Sequence, residues 1–342
     1  MKIALAILSR NESVLHISAA LRALGHEVRI LSLDPFAMCC SYIEKKCDEF
    51  GLHGRRRHFD ESRFAAYIDM ISTWRPERIL FVNLPDSIFS YEEMCRIRET
   101  AHAVHCVLCV WIVDVCARSE ALLSFCRLFD TVASYERTDA EWIASHNVSA
   151  CFVPLGYADA YGRQESLPEK EQDIVFVGTP YRSRLRLLEA LAKDVQKYGS
   201  RLLVVGPFWE RRYPWKKLLF RLRYPMLYPC VENRVISPEE AARYYAASRI
   251  CLNLHRSDAS GCNPRTYEIL AAGGFELVDA RSDYDILIPD QDLVVFEDVE
   301  AMVEKIRYYL THEMERLAIA NSGQSKVREV RSMREMLRMV LC

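Results

Sequence analysis

The sequence predicts an α/β protein made of two Rossmann-like, doubly wound domains facing a cleft. Three observations carry that prediction. Short apolar runs alternate with stretches of helical period along the chain, a polar segment interrupts the alternation near its middle, and 342 residues suit two domains of roughly 150 residues each. Half the residues are apolar and 27% are charged, the balance of a globular protein. With 45 Lys plus Arg against 47 Asp plus Glu, the net charge is −2, which gives no dominant basic face for nucleic acid.

In order, KIALAIL opens as a strand, NESVLHISAALRAL has apolar residues at helical spacing up to Gly25, and HEVRILSL is a second strand. Strand, helix, strand is the signature of parallel pairing through a right-handed crossover. RILFVN (78–83), a helix near 90–103, VLCVWIV (107–113), a helix near 117–127, TVAS (131–134), a helix near 138–146 and ACFVPL (150–155) complete a domain over 1–156. Residues 157–172, YADAYGRQESLPEKEQ, are polar with Gly162 and Pro168 and read as a linker. A second series spans 173–325: DIVFVG (173–178), helix 181–197, RLLVVG (201–206), RICLNL (249–254), helix 264–273, FELVD (275–279), LVVF (293–296), then helices 299–311 and 313–321. A charged C-terminal helix lies within 326–342. Ligands of such folds bind in the crevice at the carboxyl ends of the strands.

The start, MKIALAILSRNES, meets charge after eight residues, too soon for a signal peptide. The longest apolar run, CVLCVWIV, is far short of the about 20 residues that span a bilayer, so a cytoplasmic location is expected. Thirteen cysteines are an odd count in a chain too long to need staples. Cys106 and Cys109, with His102 and His105 upstream, have a metal or redox reading, but residues three apart on a strand point to opposite faces. Buried thiols are therefore expected there, as at Cys39, Cys40 and Cys47. No metal site and no cofactor beyond a donor substrate are expected.

Three stretches carry candidate chemistry. In FVGTPYRSR (176–184) a strand ends at Gly178 and a helix follows Thr179 and Pro180. Its first-turn amides and the helix dipole suit a phosphate, with Arg182 or Arg184 to neutralise charge. In NLHRSDASGCNPRTYEILAAGGFELVDA (253–280), a strand ends near His255, a loop leads to Asn263, and a helix opens at Pro264. Arg265 and Glu268 share one helical face, fit to hold a diphosphate and a ribose. His255 ends a core strand beside this loop and is expected to touch the donor. The third stretch, FWERRYPWKKLLFRLRYPMLYPC (208–230), interleaves six basic residues with aromatics. It suits an anionic membrane surface, an acidic acceptor, a partner chain, or simple packing on the second domain.

The succession VFVGTPYRSR, VVGPFWE, RICLNLH and GCNPRTYEILAAGGFELVD closely resembles the C-terminal half of CgeB-like bacterial glycosyltransferases, which have the GT-B fold. The similarity covers most of 105–325, and the NPRTYE…GG block is its most specific element. The first hundred residues share only a Rossmann-like pattern. The resemblance implies transfer of a sugar from a nucleotide-diphosphate donor to a glycan, protein or lipid-linked acceptor. It places Glu268 at the second acid of a Glu-x7-Glu motif, which holds the nucleotide ribose. Ser260 stands at the first acid's place, so the retaining mechanism tied to that motif is not implied. Asp258 is near enough in sequence to take over donor-sugar hydroxyls. The backbone at Gly273 and Gly274 either approaches the donor or caps the helix. No D-x-D cluster marks a divalent ion site, so transfer without metal is expected. Candidates for activating an acceptor are Asp114, at the end of the WIVDV strand, and Glu12 and His16, after the first strand. A nucleotide-sugar 2-epimerase of the same fold and a non-catalytic sugar-nucleotide-binding subunit are the alternatives.

Overall fold

A computed structural model describes residues 1–7, 12–32, 53–86, 88–163, 171–256 and 259–342. The chain divides into two compact units, Met1–Pro154 with Met333–Cys342, and Leu155–Ser332.

The first unit is a six-stranded parallel sheet of order β2-β1-β3-β4-β5-β6. Its strands are β1 (Lys2–Ile7), β2 (Glu27–Ser32), β3 (Arg78–Val82), β4 (Val107–Ile112), β5 (Thr131–Ser134) and β6 (Ala150–Phe152). β1, β3 and β4 are apolar on both faces because crossover helices cover each side, so they read as continuous runs rather than alternating ones. Between β3 and β4, the Tyr91–Ala103 helix starts on a capping box in which Ser90 and Glu93 each accept the other's backbone N–H.

The second unit is also a six-stranded parallel sheet, of order β12-β11-β10-β7-β8-β9. Its strands are β7 (Gln172–Val177), β8 (Leu202–Gly206), β9 (Val231–Asn233), β10 (Ser248–Asn253), β11 (Glu276–Asp279) and β12 (Val294–Phe296). From β7 the chain runs outward through β8 and β9, then returns to lay β10, β11 and β12 on the other side. The strand order therefore reverses between β7 and β10, and the carboxyl ends of those two strands are where such a sheet opens a ligand crevice.

Four features depart from the sequence reading. Residues 157–163 are not a bare linker: Tyr157 and Tyr161 are buried, Asp159–Gly162 forms a helical turn, and Tyr161 stacks on Tyr245 at 6.2 Å. Tyr157 makes an isolated parallel bridge to Ser332 and Tyr161 lies on the helical turn, two buried rings that the segment's polar composition hides. The two expected C-terminal helices have other bounds, Glu313–Val330 instead of 313–321 and Met333–Leu341 for the last. They break at Arg331, whose guanidinium makes a two-bond pair with the Asp285 carboxylate (2.6 and 2.9 Å), while its carbonyl accepts from Tyr157 N. The last helix packs against Glu12–Ala23 in the first unit, burying Met336, Leu337 and Val340. Helices His53–Trp74 and Pro238–Ala247 had no counterpart in the sequence reading, whereas the basic aromatic segment, one reading of which is a solvated helical excursion packing on the second domain, forms the helix Pro214–Arg223.

Cys106 and Cys109 are buried free thiols, and burial pushes the Cys106 thiol up to about 12. His102 is held by Asp130 at 3.0 Å instead of by sulfur. Cys39, Cys40 and Cys47 lie outside the described residues. Among the described residues, no helix is long and apolar enough to cross a membrane.

Candidate functional site

The carboxyl ends of β7 and β10 gather most of the second-unit candidates. Two glycines allow the approach. Gly178 N donates to Val205 O (2.9 Å), and a Cβ on Gly206 would stand 2.0 Å from the Gly178 carbonyl oxygen. A Cβ on Gly178 itself would meet Arg265 Nη2 at 3.0 Å. The space that glycine leaves is thus filled by a guanidinium. Arg265 lies over the Phe176 ring (5.7 Å to the centroid), donates through Nη1 to Asn253 Oδ1 (3.2 Å), and hydrogen-bonds the Tyr245 hydroxyl.

Asn253, fully buried, organises the floor. Its Nδ2 donates to Glu276 Oε1 (2.7 Å), Thr266 Oγ1 (3.0 Å) and Asn263 Oδ1 (3.1 Å), and its Oδ1 also accepts from Asn263 Nδ2 (3.0 Å). Asn263 caps the Pro264–Ala271 helix by accepting from Thr266 N. Thr266 Oγ1 donates to Glu276 Oε1 (2.9 Å). Burial pushes the Glu276 carboxyl up to about 7 against the bonds that favour its charge, and its Oε2 has no partner among the described residues.

His255 corrects an expectation. Its side chain is 0% exposed, Nδ1 donates to Asp279 Oδ1 (2.8 Å), and Nε2 accepts from Asn263 N (3.1 Å). Both ring nitrogens are engaged inside the protein, so this histidine holds the loop against the helix start instead of touching a donor. Burial lowers its pKa despite the Asp279 hydrogen bond, and the neutral ring fits one nitrogen donating while the other accepts. Burial raises the Asp279 carboxyl, but the two His255 bonds and Arg281 outweigh it and hold it below its usual range. Arg281 pairs with Asp279 and donates to the carbonyls of Arg256 (3.1 Å) and Ala259 (2.8 Å), clamping the loop from the other side.

Arg184 is buried and donates to the Thr179 carbonyl and hydroxyl, each at 3.3 Å. Burial, then repulsion from Arg265, lowers it to about 10, so it remains charged at neutral pH. Arg182 and Thr179 are exposed, and Tyr181 caps the Arg182–Lys197 helix without a side-chain bond. Glu268, half-buried, sits one turn beyond Arg265 on the same face. Gly273 and Gly274 lie elsewhere, at the opposite end of this eight-residue helix. Gly273, at φ 80°, donates to Leu270 O and Gly274 to Ile269 O, both at 2.9 Å, so they form the C-cap. Asp258 lies outside the described residues.

In the first unit, Asp114 is exposed after β4 and accepts from Asn83 Nδ2 (3.2 Å). Asn83, in the left-handed region at φ 67°, also accepts from Val113 N (2.7 Å), tying the ends of β3 and β4 together. His16 is half-buried on the Glu12–Ala23 helix, and the Glu12 side chain is outside what the structure describes. The sequence reading missed Tyr245, Asn253, Thr266, Glu276, Asp279 and Arg281. A strand ending in Asn-x-His, with an acid on the next strand, is the signal it passed over.

Residues 182–340 match the model of the glycosyl transferase-like family. Over 222 residues the chain is 22% identical to spore protein CgeB of Bacillus subtilis, which covers 60% of this chain and 65% of that protein, just under two thirds of its length. A glycosyltransferase from Rickettsia africae superposes with a TM-score of 0.71 at 13% identity, covering 99% of this chain and 96% of the other. The chain has the GT-B fold and is similar to CgeB over part of its length. The Anabaena protein Alr3699/HepE, solved in complex with UDP-glucose, aligns with a TM-score of 0.69 at 12% identity over 100% of this chain and 98% of its own.

Proposed function

We propose that this chain transfers a sugar, in the hexosyl class, from a nucleoside-diphosphate donor bound at the ends of β7 and β10. One observation carries the reading: two neighbouring guanidiniums, Arg184 and Arg265, are held there by neutral hydrogen-bond partners, Thr179, Asn253 and Tyr245. Their charge is aimed and fixed before any ligand arrives, which is what stabilises a leaving diphosphate. The first-turn amides of the Arg182–Lys197 helix add donors and a positive dipole end. Glu268, on the Arg265 face, is placed to accept from ribose hydroxyls. The UDP-glucose complex of the Anabaena neighbour supports a nucleotide-sugar donor, and UDP sugars come first in any screen.

With guanidiniums in that role, transfer needs no added divalent metal and no further cofactor. The acceptor is a glycan, a protein or a lipid-linked sugar. Asp114 is the first choice for deprotonating its hydroxyl, since it is exposed and oriented by Asn83, with His16 and Glu12 behind it. Free thiols such as Cys106 and Cys109 fit a cytoplasmic location. Calorimetry with UDP, GDP and their sugars, followed by donor hydrolysis or transfer assays, tests the reading. Absence of binding by every nucleoside diphosphate sinks it.

A further inference from the structure

The basic aromatic segment forms a helix with an inverted pattern. Pro214–Arg223 buries a single side chain, Phe220, whereas Trp215, Leu218, Leu219 and Leu222 are 56, 57, 55 and 70% exposed. At about 100° per residue these four fall within an arc of roughly 100°, turned about 150° away from Phe220. Lys216 and Arg223 flank the arc on one side, Lys217 and Arg221 on the other, and Arg211 and Arg212 precede it. No acidic residue occurs between Glu210 and Glu232, in a chain whose overall charge is −2.

The segment is rigidly built. At one end Asn233 accepts from Trp209 N and donates to Trp209 O, both at 2.9 Å. At the other, the Glu189 carboxylate accepts from Met226 N (3.1 Å) and Leu227 N (2.8 Å). Phe220, Tyr224 and Leu227 belong to the core of the second unit. Packing on that core is therefore satisfied by Phe220 and the following turn, and leaves the outer stripe without a structural use. Single exposed apolar residues are ordinary, but four on one helical face with a cationic border are the pattern of a helix lying in a lipid interface.

We infer that Pro214–Arg223 docks on an anionic bilayer surface, with Trp215, Leu218, Leu219 and Leu222 entering the headgroup boundary and the six basic residues against lipid phosphate and carboxylate. Charge complementarity selects this occupant over a second copy of the chain, because two such helices would face each other with like charges. The segment leaves β8 at Gly206, directly beside Gly178, so a docked helix keeps the candidate donor site close to the membrane. The surface stands whether or not the chain transfers sugar.

The test is co-sedimentation with phosphatidylcholine vesicles containing roughly 30% phosphatidylserine, set beside pure phosphatidylcholine. Binding is expected to the mixed vesicles at low salt, with a blue shift of tryptophan emission that Trp215→Phe removes, and release as the Debye length shrinks at high salt. Replacing Arg211, Arg212, Lys216 and Lys217 by Glu should weaken partition by about fivefold or more for each charge removed. Leu218→Asp with Leu222→Asp should abolish binding while leaving thermal midpoint and UDP affinity unchanged. No sedimentation of the wild type at low salt overturns the inference. Sedimentation that survives the double leucine change overturns it too, as mere basic adhesion. So does a concentration-dependent dimer that the same change dissociates, since the stripe is then a chain–chain interface.

Discussion

Arg265→Ala is the sharpest test of the donor site. The guanidinium fills the space beside Gly178, with Nη1 on Asn253 Oδ1 and a further bond to Tyr245. A hydrogen bond to a charged group contributes about 1.5–3 kcal/mol. Its loss should weaken nucleoside-diphosphate binding about 10- to 150-fold. The protein should survive the change. Asn253 Oδ1 still accepts from Asn263 Nδ2 at 3.0 Å, and the Tyr245 hydroxyl loses one bond of about 1 kcal/mol, or a few degrees of melting temperature. Isothermal titration with UDP and GDP measures the first effect and calorimetric melting the second. Arg265→Lys keeps the charge but loses the planar fork, and should fall between wild type and Ala. Gly178→Ala presses on the same group, since its new methyl would sit 3.0 Å from both Nη2 and the Phe176 ring and shift them by a few tenths of an ångström, a smaller loss than Arg265→Ala. If Arg265→Ala remains folded and binds within twofold of the wild type, the diphosphate does not contact this arginine and the proposed site is wrong.

Three further outcomes follow from the same geometry. Glu268→Ala should cost about 1.5–3 kcal/mol of nucleoside-diphosphate affinity by calorimetry, while affinity for inorganic pyrophosphate should not change, because the loss lies at the ribose. Donor consumption should persist in excess chelator; complete loss that Mg²⁺ or Mn²⁺ restores would show that the arginines do not suffice. Glu276 titrates at about 7 in the folded chain against 4.5 ordinarily, so the folded state holds an extra proton between those values. Stability then falls as pH rises through that window, by at most about 3 kcal/mol. Glu276→Gln removes the slope, and its melting temperature relative to wild type should improve from pH 5 to pH 8. A difference independent of pH would mean that Glu276 is not protonated on folding.

Most strands were legible because parallel strands buried on both faces are continuous apolar runs, as at Ile3–Ala6 and Ile79–Phe81. The Pro214–Arg223 segment was legible as a helical excursion, but its outward apolar face was not, because its period pointed at no core. The site was half legible. Arg265, Glu268 and Asn263 could be placed because a proline and an N-cap fix where the helix begins. His255 was misassigned because sequence shows that it ends a strand, but not that Asp279, 24 residues later, takes its Nδ1.

The arrangement of charge in the second unit argues for a ligand beyond any resemblance. Arg281 and Arg331 have carboxylate partners, Asp279 and Asp285. Arg184 is buried beside Arg265, whose charge adds to the cost of its own, and the hydrogen bonds holding the two come from Thr179, Asn253 and Tyr245, none of them ionised. Burying Arg184 next to a like charge costs the folded chain stability, and the Asp279 carboxylate offsets only part of that cost. An arrangement that costs stability in the free protein and is nonetheless braced by a buried Asn–Thr–Glu network is one in which the opposing charge arrives from outside. A dianion placed between them would remove the repulsion that lowers Arg184. Nucleoside diphosphates should therefore raise the melting temperature more than the corresponding nucleosides do, and by an amount that shrinks in Arg184→Gln as well as in Arg265→Ala. Equal shifts from UDP and uridine would assign the binding to the base alone and leave the two arginines without this role.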